Sequence, residues 1–294
     1  MDDLNSKKER IRNIVNNLHR SNYYRHEITN PKNICESTIS IVMTASNRSK
    51  QTYYTLNSIN ESSYKNVHVI LVDDSTTDPI NIEQLYTYPF MIDFISINRE
   101  NKCWINPVVN YNIGFAYITG GYVIIQNAEV FHVGDILNYI HTNINDNRYY
   151  VFDVKTSNSY ETNDELHKYK VHDTSIYDRH NLCSLWYQSA IYYNNQYHFL
   201  SAMTRDIFNT ICSFSYDYCY ADAYDDNDFV LKIKSLNIPI VSVDYTNSKC
   251  GGLHQYHVLA SAWNLAGPTY RDVFHTKLDT YNKTGKYIDY YLQD

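Results

Sequence analysis

Apolar and polar positions alternate in blocks along residues 38–127 and predict a repeated strand–helix pattern. Short apolar runs rich in β-branched residues predict buried strands at 39–43, 67–72, 94–97 and 122–125. Between them, residues 51–59 predict one helix, and Asn106 followed by Pro107 predicts the start of another, with asparagine as the N-cap. This order indicates a mostly parallel sheet with right-handed crossovers.

Polar residues follow three of these predicted strands. Thr44 follows the first strand, Asp73 and Asp74 end the second, and residues 127–129 end the fourth. In open α/β sheets, ligands bind beyond the carboxyl ends of the strands, where the strand order reverses. The sequence therefore predicts a binding site at this edge of the sheet.

The two ends of the chain and its second half show other patterns. Residues 1–25 carry apolar side chains at helical spacing and predict an amphipathic helix. It would pack on the main domain or on a second subunit, so a homodimer is one expectation. We expect an N-terminal helical extension at 1–36, one domain at 37–265 and a C-terminal extension at 266–294.

The second half of the chain is predicted from shorter signals. A strand is expected at 149–154, followed by a loop-like stretch to about Tyr177. Helices are expected at 204–211 and 226–236, where apolar residues share one face and acidic residues begin the second helix. A strand at Ile240–Val243 and an ordered segment at 251–257 complete the prediction.

Composition and charge exclude several classes of protein. The formal net charge of −7 argues against a nucleic-acid binder that neutralises phosphates. No apolar run approaches the ~20 residues that a membrane span needs. Six scattered cysteines without a CxxC pair, and no signal-peptide pattern, predict free thiols in a reducing compartment. We therefore expect a soluble, cytoplasmic protein.

The segment after the first predicted strand contains no glycine. A dinucleotide-binding dehydrogenase needs a GxGxxG sequence at this position, and a nucleotidyltransferase needs a glycine-rich phosphate loop. The sequence disfavours both activities.

Five segments in this order resemble family 2 glycosyltransferases with the GT-A fold. They are SIVMTASNR, VILVDDS, GYVIIQNAEV, AYDDNDFVLKIK and GGLHQYH, and they lie within residues 38–260. The resemblance implies an α/β fold of GT-A type, a Rossmann-like sheet flanked by helices in a single catalytic domain. It implies metal-assisted transfer of a sugar, with inversion, from a UDP-sugar donor to a carbohydrate or glycoprotein hydroxyl. The donor sugar and the acceptor stay open.

The resemblance also implies donor-binding roles for residues near the carboxyl edge. Asp73 is expected to accept a hydrogen bond from the uracil imide N–H. The Arg48 guanidinium could form charge-assisted hydrogen bonds with the diphosphate, although it could also be an ordinary surface arginine. The remaining nucleotide contacts are expected from Thr44, Ala45, Trp104, Asn106, Asn127, Ala128 and Ser201.

A metal site is implied where the family shows Asp-x-Asp. Here the segment is Asn127, Ala128 and Glu129, so an amide replaces the first acid. One carboxylate can still bind Mn²⁺ or Mg²⁺ together with diphosphate and water. Either His254 or His257 is expected to complete the site, and the sequence does not decide between them.

The acidic cluster that begins at Asp225 resembles the Glu-Asp-x-Asp-Phe element of inverting enzymes. The resemblance places Asp226 on the general base and Asp225 on the preceding acid. A base must lie within hydrogen-bond reach of the acceptor hydroxyl. Acids that merely favour a helix start, a retaining enzyme, and a catalytically silent nucleotide- or glycan-binding protein are the alternatives.

Overall fold

The computed structural model describes residues 24–31, 34–97, 102, 104–179, 183–220, 223–258 and 263–290. The predicted N-terminal helix at 1–25 lies almost entirely outside these residues. Its last two positions, 24 and 25, belong to a strand instead. This strand pairs antiparallel with the strand at 91–97, so the prediction was wrong at these two residues.

The described residues form two β-sheets. In chain order the strands are β1 (Tyr24–Thr29), β2 (Ile39–Ala45), β3 (Val67–Asp73), β4 (Met91–Ile97), β5 (Tyr122–Asn127), β6 (Val130–Val133), β7 (Tyr149–Phe152), β8 (Val154–Ser157), β9 (Cys183–Gln188), β10 (Leu200–Thr204), β11 (Ile240–Val243) and β12 (Gly251–His254). The larger sheet has the order β1-β4-β3-β2-β5-β10-β7-β11, and the smaller one has the order β6-β12-β8-β9.

Helices cover and connect these sheets. In chain order they are α1 (Ser49–Glu61), α2 (Ile82–Leu85), α3 (Val108–Phe115), α4 (Ile136–Asn143), α5 (Tyr160–Glu165), α6 (Arg205–Ile211), α7 (Asp225–Ser235), α8 (Tyr245–Ser248) and α9 (Trp263–Thr284). None of them combines the length and the apolar character that crossing a membrane requires.

The centre of the larger sheet is parallel, as the strand–helix pattern predicted. Strands β4, β3, β2 and β5 all run in one direction. The chain moves outward from β2 to β3 and β4, and then returns to the other side of β2 as β5. The strand order therefore reverses between β2 and β5, which is where ligands bind in sheets of this kind.

The two faces of β2 are buried against different helices. Ile41 and Met43 join one apolar cluster with Leu56 of α1, while Val42 joins a second cluster with residues of α3. Gly114 lets α3 approach closely, because a Cβ there would lie 2.7 Å from Val42 Cγ1. Burying each aliphatic side chain of this size contributes roughly 1.5–3 kcal/mol.

The strand predicted at 149–154 is two strands in different sheets. β7 belongs to the larger sheet and β8 to the smaller one, and Asp153 lies between them. Its carboxylate accepts hydrogen bonds from the Ala190 N–H at 2.7 Å and the Tyr245 N–H at 3.0 Å. The bend is therefore fixed by a buried acid that the apolar pattern does not reveal. The predicted loop-like stretch before Tyr177 also contains α5.

The C-terminal residues pack against the main domain. α9 begins at Trp263, before the predicted boundary at 265, and contacts α7. Lys277 of α9 has no exposed surface. The four cysteines whose side chains the structure describes are free thiols: Cys35, Cys212, Cys219 and Cys250.

Candidate active site

Glu129 lies in the short turn between β5 and β6, at the point where the strand order reverses. Its side chain is 2% exposed. β12 pairs antiparallel with β6 and sets His254 opposite Val130, so strand pairing carries His254 to the side of Glu129. The chain then continues to His257, which comes back towards the same carboxylate.

Glu129 and both histidines form one cluster. Glu129 Oε1 lies 3.4 Å from His254 Nε2 and 3.5 Å from His257 Nε2. One ligand atom from each of the three residues falls within 4.8 Å of the others. Glu129 Oε2 is buried and has no hydrogen-bond partner among the described residues. A carboxylate with an unpaired oxygen and two imidazoles form a ligand set that fits a divalent cation. The structure places both histidines beside Glu129.

Gln255, between the two histidines, anchors this segment. Its backbone N–H donates to the Glu129 carbonyl at 3.0 Å. Its side-chain amide donates to the Gln51 carbonyl at 2.8 Å and lies 3.1 Å from Thr55 Oγ1, both on α1. Sequence reasoning missed this residue, because nothing in the local pattern distinguishes an anchoring glutamine from a solvated one.

Arg48 precedes α1 and donates a hydrogen bond from its guanidinium to Glu129 Oε1. Asn47, at a positive φ of 54°, holds the preceding loop in place. Its side-chain oxygen accepts hydrogen bonds from the backbone N–H groups of Thr76 and Thr77, both at 2.8 Å. The Arg48 charge is thereby fixed at the Glu129 cluster.

The charges around Glu129 control its ionisation. Burial alone would raise its pKa, but the Arg48 guanidinium and the two histidines outweigh burial and hold the pKa well below its usual range. Glu129 is therefore a carboxylate at every pH near neutrality. Burial lowers the pKa of His254 and favours the neutral imidazole, the form that binds metal.

A second cluster lies at the start of α7. Asp225 and Asp226 are the first two residues of this helix. Asp226 Oδ1 lies 2.9 Å from Nδ1 of His198, a buried residue. The His198 ring packs edge-on against Phe214 and Phe229. Sequence reasoning missed the pairing of His198 with Asp226, because no local signal connects residues 28 positions apart.

Asp225 has an unusual ionisation. Burial and then the negative charge of Asp226 raise its pKa to about 7, although His198 and the Asn106 side chain favour the charged form. Two adjacent acids therefore share a site in which one of them retains a proton near neutral pH.

Tyr187 connects the two clusters. Its ring centroid lies 4.4 Å from that of His254 and 4.4 Å from that of Phe199. Burial, followed by the negative charges of Asp226 and Glu129, raises the pKa of its hydroxyl. The Phe199 ring centroid lies 6.1 Å from that of His198, so packed aromatic rings connect His254 with the histidine beside Asp226.

The predicted residues of the β2 and β5 ends lie beside each other. Thr44 pairs with Asn127, and Ala45 pairs with Asp73. The Tyr111 hydroxyl lies 3.3 Å from Asn127 Oδ1 and donates to the Gln126 carbonyl at 2.9 Å. Ala128, fully buried, follows Asn127 and leads to Glu129.

The Asp73 carboxylate is buried and bound to its own loop. Oδ1 accepts hydrogen bonds from the Ser75 N–H and hydroxyl, and Oδ2 accepts one from the Ile80 N–H at 2.9 Å. Burial raises its pKa. The uracil contact stays a prediction. A uracil N–H would have to share an Asp73 carboxylate oxygen with the backbone N–H groups of this loop.

Three predicted nucleotide contacts lie elsewhere. The Trp104 indole is buried and donates to Asn110 Oδ1 at 2.9 Å. The N-cap of α3 is Pro107, so the prediction of Asn106 as the N-cap was wrong by one position. The Asn106 side-chain oxygen accepts a hydrogen bond from the Val108 N–H at 2.9 Å, and the Asn106 side chain borders Asp225. Ser201 has no exposed surface, and its hydroxyl donates to the Ile125 carbonyl at 3.2 Å.

Comparisons with known proteins identify a family and a fold for this chain. The model of the family described as Glycosyl transferase family 2 matches residues 40–219. In a search of curated proteins, none matches significantly. Among solved structures, the chain is similar to S. aureus TarS 1–349 in complex with UDP-GlcNAc. The identity is 12% and the TM-score 0.57, covering 83% of this chain and 67% of that one.

The same TarS fragment in complex with UDP gives a TM-score of 0.53 at 13% identity, covering 74% of this chain and 60% of that one. This chain thus spans between 60% and 67% of the TarS fragment. At such identities the likeness shows the fold, which is the predicted GT-A arrangement in one domain. Asp225, Asp226, His254 and His257 lie beyond the matched residues 40–219.

Proposed function

We propose that this chain, which belongs to glycosyl transferase family 2, transfers a sugar from a UDP-sugar to an acceptor hydroxyl with inversion. The observation that carries the proposal is that the rings of Tyr187 and Phe199 connect the Glu129 cluster, whose side chains fit a cation, with the Asp225–Asp226 cluster. A transferase needs the first to neutralise a leaving diphosphate and the second to accept a proton from the acceptor. A glycan or a glycoprotein is the expected acceptor.

The donor half of the site would consist of Glu129, His254 and His257. These residues would hold Mn²⁺ or Mg²⁺, and a cation bound there would stabilise negative charge on the departing diphosphate. Arg48 lies against Glu129 and would bind a phosphate oxygen through a charge-assisted hydrogen bond. Thr44 and Asn127, at the adjacent strand ends, would contact the nucleoside.

The acceptor half would consist of Asp226 and the residues around it. The Asp226 carboxylate would take the proton of the attacking hydroxyl, on the side of the sugar opposite to the leaving group. His198, whose Nδ1 lies 2.9 Å from Asp226 Oδ1, would fix the direction of this carboxylate. Asp225, with its pKa raised to about 7, would keep a proton and so limit the repulsion between the two acids.

A second candidate is a nucleotide-binding protein without transferase activity. Two observations favour it: Asn127 replaces an acid, and Arg48 already neutralises Glu129. Such a protein would bind UDP but would not release it from any UDP-sugar. UDP-GlcNAc, which is bound in one of the TarS structures, is the first donor to assay.

Calorimetric titration of UDP in the presence of Mn²⁺, and again with EDTA, tests the donor site. We expect binding with Mn²⁺, weaker binding with EDTA, and loss of the metal-dependent part in Glu129→Ala. Glu83→Ala, at an exposed glutamate of α2, is the control and should bind UDP normally. Absence of UDP binding under both conditions would rule out the proposed donor.

A further inference from the structure

The long helix α9 contacts the turn that carries Asp225 and Asp226 at two points. The Phe274 ring stacks on Tyr224, with 5.6 Å between centroids and 25° between planes. The Lys277 ammonium lies 3.2 Å from Asp228 Oδ1. Residues three apart share one face of a helix, so a single face of α9 touches both ends of the acidic segment.

Lys277 belongs to a buried network of charged and hydroxyl groups. Lys277 has no exposed surface, and its ammonium also lies 2.7 Å from Asp217 Oδ2. Asp228 accepts hydrogen bonds from the hydroxyls of Tyr287 and Tyr218, the latter at 3.2 Å. Buried charges are tolerated only when they are paired and hydrogen-bonded, so each member depends on the others.

The contact at Phe274 falls on a strained residue. Tyr224, which immediately precedes Asp225, has φ 71° and ψ −6°, in the left-handed region. Such a conformation costs about 1–3 kcal/mol for a large side chain and persists only where surrounding contacts impose it. Its carbonyl accepts the Asp228 N–H at 2.9 Å, which closes the first turn of α7. Phe274 and Lys277 therefore hold the residues on both sides of this turn.

We propose that α9 is a clamp in which Phe274 and Lys277 act as positioning residues for Asp226. The clamp fixes the strained turn, and the turn directs the Asp226 carboxylate towards His198 and the acceptor. This inference rests on the proposed function in that Asp226 is the base. Phe274 and Lys277 lie outside the family-matched residues 40–219.

Amide hydrogen exchange measures the clamp directly. In Phe274→Leu and in Lys277→Met, we expect the amides at 224–230 to exchange at least about tenfold faster, while α3 is unchanged. Lys283→Met is the matched control, since Lys283 is an exposed lysine of the same helix. Unchanged protection at 224–230 in both clamp variants would overturn the proposal.

Lys277→Met leaves Asp228 and Asp217 without their counter-ion and could prevent folding. The double variant Lys277→Met/Asp228→Asn removes charge from both sides, and Phe274→Leu removes none. Faster exchange at the turn in these two milder variants supports the clamp, and wild-type exchange in both contradicts it.

Titration of Asp225 by carbon NMR separates positioning from simple destabilisation. Its pKa of about 7 depends on burial and on the nearby Asp226, with His198 and Asn106 as the other facing groups. Phe274→Leu changes no charge, so it can alter this pKa only by changing the position or the burial of the two acids. We expect the pKa to fall towards the ordinary carboxyl range, and an unchanged pKa would refute positioning.

Failure of the clamp and failure of the proposed function give different results. UDP affinity in the presence of Mn²⁺ depends on the Glu129 cluster, so it should stay within about twofold in Phe274→Leu. If Asp226→Asn keeps full turnover, the base assignment fails, while the exchange and titration results still decide the clamp. If Asp226 is the base, Phe274→Leu should slow UDP release from UDP-GlcNAc only when Asp226 is present.

Discussion

The Glu129 cluster and the Asp225–Asp226 cluster differ in the sign of the charges that each brings together. Around Glu129, the Arg48 guanidinium faces one carboxylate, and the pKa of that carboxylate is held low. At the start of α7, two carboxylates face each other, and the pKa of Asp225 is raised to about 7. Opposite charges keep Glu129 an anion, whereas burial together with a like charge leaves Asp225 able to exchange a proton near neutrality.

The two clusters also differ in what holds them. Strand pairing carries Glu129 and His254 to the same place, and Gln255 fixes the segment to α1. The acidic cluster depends on a strained turn and on contacts from distant side chains such as His198. We infer that the Glu129 cluster is rigid and tolerates substitutions elsewhere in the chain. The Asp225–Asp226 cluster should be sensitive to substitutions around it.

Asp226→Asn should have the largest effect on turnover. Loss of a general base typically lowers the rate by ~10²–10⁴-fold, while UDP affinity should change by less than about twofold. The measurement is UDP release from UDP-GlcNAc, together with calorimetry of UDP. Asp206→Asn is the matched control, since Asp206 is an exposed acid in the first turn of α6. Equal turnover in wild type and Asp226→Asn would remove the proposed distinction between the clusters.

His254→Ala and His257→Ala should each weaken Mn²⁺ binding by at least about tenfold, or ~1.4 kcal/mol. Both imidazoles lie at nearly equal distances from Glu129 Oε1, 3.4 and 3.5 Å. Titration of Mn²⁺ followed by electron paramagnetic resonance gives the affinity, with the exposed His172→Ala as control. A loss confined to one variant would restore the sequence-based expectation of a single histidine ligand.

The sheet and its carboxyl edge could be predicted because both follow from local patterns. Apolar runs identified β2, β3 and β5, and parallel strands place their carboxyl ends together, which gave Thr44, Asp73 and Glu129. The bend at Asp153 could not be predicted, because one acid within an apolar run is equally typical of a single continuous strand with one polar position. Strand β1 was missed because its six residues are largely polar.

The side-chain pairings of the site could not be predicted from spacing. Arg48 and Glu129 are 81 residues apart, and Lys277 and Asp228 are 49 apart, so only the folded chain defines them. Ser201 shows a different limit. It lies on β10, which pairs with β5, the strand that leads to Glu129. Its side chain, however, is completely buried.

Arg48→Met should affect the two ligands of the donor site in opposite directions. UDP affinity should fall by about tenfold or more, since a hydrogen bond to a charged group contributes ~1.5–3 kcal/mol. Mn²⁺ affinity without nucleotide should rise, because the substitution removes the guanidinium charge that competes with the cation for Glu129. Lys50→Met, at an exposed lysine of α1, is the control. A fall in both affinities would show that Arg48 supports the cluster instead of competing with the cation.

Asp225→Asn should have the smallest effect, visible in the pH dependence of stability. Because the folded pKa is raised to about 7, the folded state binds a proton that the unfolded chain releases near pH 4. Wild-type stability should therefore decrease as pH rises from about 4 to 7, and the variant should lack this decrease. At pH 8 we expect the free energy of unfolding of the variant to exceed that of the wild type by ~1–2 kcal/mol. Since each kcal/mol raises the melting temperature by ~2–4 °C, the variant should melt a few degrees higher. Thermal unfolding at pH 5 and pH 8 measures this, with Asp206→Asn as control. Parallel pH curves for wild type and variant would mean that Asp225 is an ordinary carboxylate, and the contrast between like and opposite charges in this site would fail.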